Sequence, residues 1–245
     1  MVDAKANATI VIAHFNEDVT WINTITEHNI VIYSKGDQNT LSNATATATA
    51  TIKLPNLGRE SHTYVHHIIT NYDTLSPVTV FLQANPFDHI KNVDSLISEA
   101  KTHPSGLSQN AHVHDVGNCS AFHGFTIRQH MGQVVEEYKD GLNMGEWLKD
   151  IQGIQDIQCI QEFPILDLKK SPRWYIGGCF AATKDAIQSV PLQMWNKIYD
   201  SLSYSMNPVT GHYMERSWYM LMDLEKANAK TAITTANAVK RPTIL

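Results

Sequence analysis

Ala8-Thr-Ile-Val-Ile-Ala-His-Phe15, followed by Asn29-Ile-Val-Ile-Tyr-Ser34, decides the fold. Both runs are continuously apolar and rich in β-branched residues, the composition of strands covered on both faces. Between them Val19–Thr26 reads as a short helix with Asp18 near its cap. Strand, helix and strand in succession make a βαβ unit and so predict a parallel sheet. Working outward, Arg59–Tyr72 carries Tyr64, His67, Ile68 and Tyr72 at helical spacing, Val78–Gln83 is a third buried strand, and Val93–Thr102 is a helix. Asn43–Thr51 alternates Ala and Thr, which bury little area, and is expected to be a loop insertion rather than an edge strand. Residues 103–124 lack periodicity and read as a long loop. Helical stretches interrupted near Gly141 and Gly145 are expected over Met131–Asp150, whereas 151–172 gives no clear pattern. Trp174–Ala182 reads as a strand passing through Gly177-Gly178, then Lys184–Ser189, Pro191–Ser203 and Tyr213–Ala229 as helices. No repeat or linker divides the chain. The expected class is α/β, one domain over residues 1–245, with a mostly parallel central sheet flanked by helices.

Bulk properties exclude several functions. The chain has 245 residues, 43% of them hydrophobic, enough for one substantial core. Its formal net charge is −5 and no block of Lys and Arg stands out, so a grip on nucleic-acid phosphates is not expected. The three cysteines, Cys119, Cys159 and Cys179, form no CxxC pair, which argues against a disulfide framework or a zinc knuckle. No apolar run approaches the roughly 18 residues that span a bilayer. A cytoplasmic location follows as the expectation.

In open α/β sheets ligands bind beyond the carboxyl ends of the strands. The exits of the three N-terminal strands are therefore the candidate site. In His14-Phe15-Asn16-Glu17-Asp18, Phe15 is placed to stack on a base and Asn16 or Glu17 to bond its edge; a helix-capping turn explains Asn16 and Asp18 equally well. Arg59 opens a helix, the electrostatically wrong end for a cation, which makes sense if an anion sits there or if Arg59 pairs with Glu60 or another carboxylate. Gln83-Ala-Asn85-Pro-Phe-Asp88-His89 holds one aspartate where a divalent-metal site beside a diphosphate wants two, so no metal is expected, and neutral amides with Asp88 suit sugar hydroxyls. His212-Tyr-Met-Glu215-Arg216 is read as the start of the last helix, with Glu215 facing a pocket or simply solvated. Twelve histidines invite a metal, but HExxH is absent and His112 and His114 find no third ligand at a recognisable spacing. No GxSxG elbow is present, and Cys179 sits in an apolar run as a core residue would.

Taken as an ordered set, Phe15-Asn-Glu-Asp18 with Trp21, Tyr33-Ser-Lys-Gly36, Asn56-Leu-Gly-Arg-Glu60 with Tyr64, Phe81-Leu-Gln83 with Pro86, Gly178-Cys-Phe180 and Glu215-Arg-Ser-Trp218 resemble uncharacterised glycosyltransferase-like proteins of fungi, algae and large algal viruses. The resemblance runs from about residue 8 to residue 222 and departs at His14, where Arg is common. It implies a GT-A-like fold, similar to metal-independent inverting enzymes of the core-2 branching type. It further implies Glu215 as catalytic base, His14, Phe15, Asn16, Glu17, Lys35, Arg59, Gln83, Arg216, Lys240 and Arg241 as donor-binding residues, and Asn85, Asp88, His89 and Gly178 as contacts to acceptor or sugar. The implied partners are a nucleotide-sugar donor, UDP-linked with UDP-xylose as one candidate, and a glycan or glycoprotein acceptor, with no cofactor. The alternatives are a non-catalytic nucleotide-sugar or carbohydrate-binding module of the same fold, a Cys or His hydrolase, and a nucleotidyltransferase.

Overall fold

The structure is a computed structural model and describes residues 8–25, 27–37, 41, 47–108, 124–152 and 175–223. The chain enters through strand β1 (Thr9–His14), makes a 3-10 turn over Thr20–Thr24, and returns as β2 (Asn29–Ser34). β3 (Ala50–Lys53) leads to helix α1 (Arg59–Asn71), β4 (Val78–Gln83) and α2 (Val93–Thr102). A small hairpin, β5 (Gln129–His130) and β6 (Gln133–Val134), precedes α3 (Met144–Gln152). β7 (Phe180–Thr183), α4 (Lys184–Gln188), α5 (Leu192–Leu202) and α6 (Val209–Met222) complete the described chain.

The central sheet has five strands in the order β3-β2-β1-β4-β7. The first four run parallel and β7 is antiparallel to β4, with Phe81 opposite Phe180. Each strand divides its side chains between the two faces at a period of two. Ile10, Ile12, Ile30, Ile32, Val80 and Leu82 point to the side where Leu96 and Ile97 of α2 pack. Val11, Tyr33, Phe81 and Phe180 point to the other side, against α1, α3, α5 and α6. There Phe81, Phe180, Tyr64 and Trp218 form one aromatic cluster, with Phe81–Phe180 centroids 5.0 Å apart and Phe180–Trp218 5.2 Å. Full burial of side chains this large stabilises the layer by about 2–3 kcal/mol each. The outer edge of β7 is covered rather than open. Ser108 N–H donates to the Ala181 carbonyl and Thr183 N–H to that of Gly106, at 3.0 and 2.8 Å.

Several local readings change, among them the helical stretches expected from Met131, where the β5–β6 hairpin stands instead and the helix begins only at Met144. The Ala/Thr run ends inside β3, because Ala50 and Thr51 pair with Val31 and Ile32 at the sheet edge. Gly145 does not interrupt a helix but lies, buried, within the first turn of α3. The strand expected from Trp174 begins only at Phe180, because Gly177 and Gly178 take φ of +70° and +63° and turn the chain. The last helix starts at Val209, so Glu215 stands in its second turn rather than at its mouth. Among the described residues, no helix is long and apolar enough to cross a membrane.

Candidate active site

Since β7 runs against β4, the Ile176–Gly178 turn that precedes it lies at the carboxyl end of β4, on the same edge of the sheet as the exits of β1 and β2. Glu215 of α6 reaches that turn. Its Oε1 accepts the Gly177 N–H at 2.9 Å, and its side chain is only 15% exposed. Burial pushes its carboxyl up from the usual range and the nearby Glu60 charge adds to this, while the Gly177 N–H, Arg216 and Arg59 pull it down.

Glu60 is the second carboxylate of the site. Its Cγ and Oε1 lie 3.4 and 3.6 Å from where a Cβ on Gly178 would stand, ordinary contact distances, so it is the backbone φ of +63° rather than Glu60 that calls for glycine there. His89, from the loop after β4, closes the same turn from another side: a Cβ on Gly177 would sit 2.3 Å from its ring. Both glycines are thus required by positive φ, and Gly177 also by the His89 ring pressed on it.

Two guanidiniums flank these acids. Arg59 Nε lies 3.6 Å from Glu60 Oε2, and Arg216 Nη1 lies 3.6 Å from Glu215 Oε2. Arg216 also donates to the His212 carbonyl at 3.0 Å and stacks 4.0 Å over the Phe125 ring. Arg59 Nη1 donates to His212 Nε2 at 3.1 Å and to Asn207 Oδ1 at 3.4 Å. Since a guanidinium can only donate, His212 Nε2 must be the acceptor and the ring neutral. Burial, then the Arg59 charge, pushes His212 down to about 3. Gly211 lets the Arg59 side chain pass, with a Cβ there only 3.3 Å from Arg59 Cδ. Both readings of Arg59 therefore have a counterpart: it is paired with Glu60, and it stands beside a second cation as an anion holder does.

Other candidate residues are placed differently. His14 is 1% exposed, with Nδ1 3.0 Å from Ser34 Oγ and Nε2 3.2 Å from the Glu17 carbonyl, so it braces the strand exit instead of facing a ligand. Burial, its largest cause, lowers its pKa. Glu17 Oε2 folds back to accept the N–H groups of Phe15 and Asn16 at 2.8 and 3.0 Å, and Asn16 Oδ1 accepts from Asp37 N–H at 2.8 Å. These polar groups are engaged in the turn, whereas Phe15 remains 44% exposed. Lys35 is turned inward: its Nζ donates to the Leu57 and Arg59 carbonyls, and burial pushes it down to about 7, partly offset by Glu60. That use of the ammonium takes it away from a diphosphate and makes it a brace for the Gly58–Arg59 turn. Gln83 is half-buried, with its main chain beside the Cys179 thiol. Asn85 and Asp88 are exposed on the loop that presents His89. Cys179 is 3% exposed, and burial pushes its thiol up to about 12. Lys240 and Arg241, along with Cys119, Cys159, His112 and His114, lie outside the described residues.

The structure thus gathers Glu215, Arg216, Arg59, His89 and Gly178, and adds Glu60, His212 and Gly177, which sequence reasoning did not assign. The available signal was the Arg59–Glu60 pair and the doubled glycine. Among the described residues no group of three His, Cys, Asp or Glu side chains is clustered as metal ligands are. Residues 10–117 match a family model described as a protein of unknown function (DUF3431), a span that takes in Lys35, Arg59, Glu60 and His89 and stops before the Gly177 turn and α6. No curated protein and no solved structure matches the chain.

Proposed function

We propose that this chain is a glycosyltransferase that moves a sugar from a nucleotide-sugar donor to a hydroxyl of a glycan or glycoprotein acceptor, with inversion and without a divalent metal. The observation that carries the reading is the placement of Glu215: a largely buried carboxylate, held by the Gly177 N–H, beside Arg59 and Arg216 at the carboxyl edge of the sheet. A general base works best when its pKa approaches the working pH, and burial beside Glu60 moves Glu215 in that direction. In the proposed step the acceptor oxygen forms a bond to the anomeric carbon and its proton passes to Glu215. The bond from that carbon to the donor phosphate breaks, and its electron pair leaves with the nucleoside diphosphate. Fixed guanidinium charge near the departing oxygens suits Arg59 and Arg216, and charge held ready in a partly buried site is the most effective form of such stabilisation. The reading carries a soluble, cytoplasmic setting and a UDP-linked donor with it, and no nucleic-acid partner.

The test is Glu215→Gln in a transfer assay with purified protein, nucleotide sugars and a panel of glycan acceptors. Transfer is expected to fall by about 10²–10⁴-fold with donor binding within a few-fold. Undiminished transfer removes Glu215 from the role. Donor binding without any wild-type transfer would favour a binding module of the same fold.

A further inference from the structure

A separate concavity of about 450 Å³ lies on the α2 side of the sheet, walled by Trp21 and Phe87 and rimmed by Glu27, His28, Lys91 and Asp94. Its aromatic wall is preset. Trp21 and Phe87 meet edge to face with centroids 5.2 Å apart, and the indole N–H of Trp21 donates to the Ala84 carbonyl at 2.8 Å. The loop bearing Phe87 is fixed by Pro86, whose carbonyl accepts the N–H groups of His89 and Ile90 at 2.9 and 3.0 Å. Phe87 nevertheless stays 51% exposed, an apolar ring held rigidly at the edge of a polar groove.

The chemistry of the rim narrows the occupant. Glu27 and Asp94 outnumber Lys91, so an anion is disfavoured. The start of α2 is also closed to anions, because Asn92 Oδ1 already accepts the N–H groups of Asp94 and Ser95 at 2.7 and 3.3 Å. A neutral ligand with an apolar face and many hydroxyls matches the aromatic wall and the mixed polar rim. The His28 side chain is 9% exposed, with Nε2 3.3 Å from Asp94 Oδ1, and its buried Nδ1 has no hydrogen-bond partner. A buried polar atom left so is uncommon, and since it has no surface toward the groove the ligand contacts fall to the exposed rim, Asp94 above all.

The groove and the candidate active site are joined through one loop. Phe87 forms the groove wall, and His89, two residues on, presses on Gly177, whose N–H holds Glu215. We infer that the groove is a carbohydrate subsite that holds further pyranose units of an oligosaccharide acceptor while a hydroxyl of that acceptor reaches Glu215. The assignment to an acceptor rests on the transfer reading; sugar binding by Phe87 and its neighbours does not.

The experiment is saturation-transfer NMR and titration of cellotetraose, mannotetraose and chitotetraose against the full chain and its Phe87→Ala and Asp94→Asn variants, with a nucleotide-sugar turnover assay run alongside. Because Phe87 and Asp94 are exposed, both variants are expected to fold, which their thermal midpoints check. At least one tetrasaccharide is expected to bind and to lose about tenfold in affinity in Phe87→Ala, the loss that one aromatic platform accounts for. Binding of none of the three, or binding unchanged in both variants, overturns the subsite. Tetrasaccharide binding that depends on Phe87 without turnover of any nucleotide sugar upholds the subsite and removes the transfer reading. Turnover of a tetrasaccharide acceptor whose KM does not respond to Phe87→Ala does the reverse.

Discussion

At the residue scale the site turns on a backbone outlier. Arg59 adopts φ of +52° directly after Gly58 at +61°, a left-handed conformation that a side chain other than glycine rarely takes. Strain of this kind is about 1–3 kcal/mol and persists where the surroundings over-determine it. Here they do: Lys35 holds the Leu57 and Arg59 carbonyls, and Gly58 N–H donates to the Ser205 carbonyl at 2.8 Å. The result aims Arg59 at His212 and Asn207 and sets Glu60 over Gly178. Glu60 then acts on Glu215 through its charge, the second cause after burial of the raised carboxyl. In the proposed transfer Glu215 acts only when deprotonated, so activity is expected to fall as pH drops through its pKa. Replacing Glu60 by Gln removes a like charge and is expected to move that acidic limb to lower pH, with turnover on the alkaline plateau retained to a greater degree than in Glu215→Gln. A pH profile of kcat decides it: an acidic limb that stays put in Glu60→Gln means that Glu60 only anchors Arg59. Sequence alone named Glu60 merely as an ion-pair partner, because nothing in the chain says that residue 60 meets residue 178.

At the element scale, β1, β2, β4 and α2 were legible, whereas β3, β7 and the start of α6 were not. β4 and α2 occupy the expected residues, since Pro77 and Asn92 mark their starts and the β-branched run and the Val93, Leu96, Ile97, Ala100 stripe fill them. The start of α6 was hidden because Pro208 at its cap offers no side-chain acceptor and Gly211 looks like a breaker; its true reason is the passage of Arg59. α1 was legible in outline, but its buried face carries an unexpected load. His62 is 1% exposed and lies 4.6 Å, centroid to centroid, from Tyr199; His67 is 5% exposed with Nδ1 3.0 Å from the Tyr33 hydroxyl. Burial pushes them down to about 3 and about 4. In the unfolded chain an imidazole takes up a proton near pH 6.5, whereas in the fold these two do not, so stability is fully present above about pH 6.5 and is lost as pH falls toward the folded values. At pH 5 the loss amounts to about 2 kcal/mol for each. Urea unfolding at pH 7.5 and pH 5.0 should differ accordingly, and His62→Gln with His67→Gln should narrow the gap. An unfolding free energy independent of pH over this interval would show that these rings are protonated within the fold.

At the scale of the whole molecule, the two faces of the sheet have different duties. The α2 side carries the groove, while the opposite layer brings Arg59 from α1 and Arg216 from α6 to one edge of the sheet. Those two cations are half-buried and oppose each other: burial first, and then the Arg59 charge, lowers the pKa of Arg216, with Glu215 acting the other way. A doubly charged diphosphate between them would relieve that repulsion and tie two helices of the same layer together, so its binding should register in global stability and not only at the site. A ligand that binds only the native state at about 100 times its Kd adds about 2.7 kcal/mol, which for a chain of this size raises Tm by about 5–10 °C. UDP is expected to give such a shift, larger than GDP or TDP, and the shift should shrink with added salt because the contact is between charges. In the Arg59→Ala, Arg216→Ala double variant the UDP shift should collapse; the Tm without ligand falls as well, since Glu60 and Glu215 lose their partners, so the comparison is of the shift in each protein and not of the Tm itself. Differential scanning calorimetry on both proteins reads this directly, and a UDP shift of equal size in the double variant would mean that the diphosphate is held somewhere other than between α1 and α6.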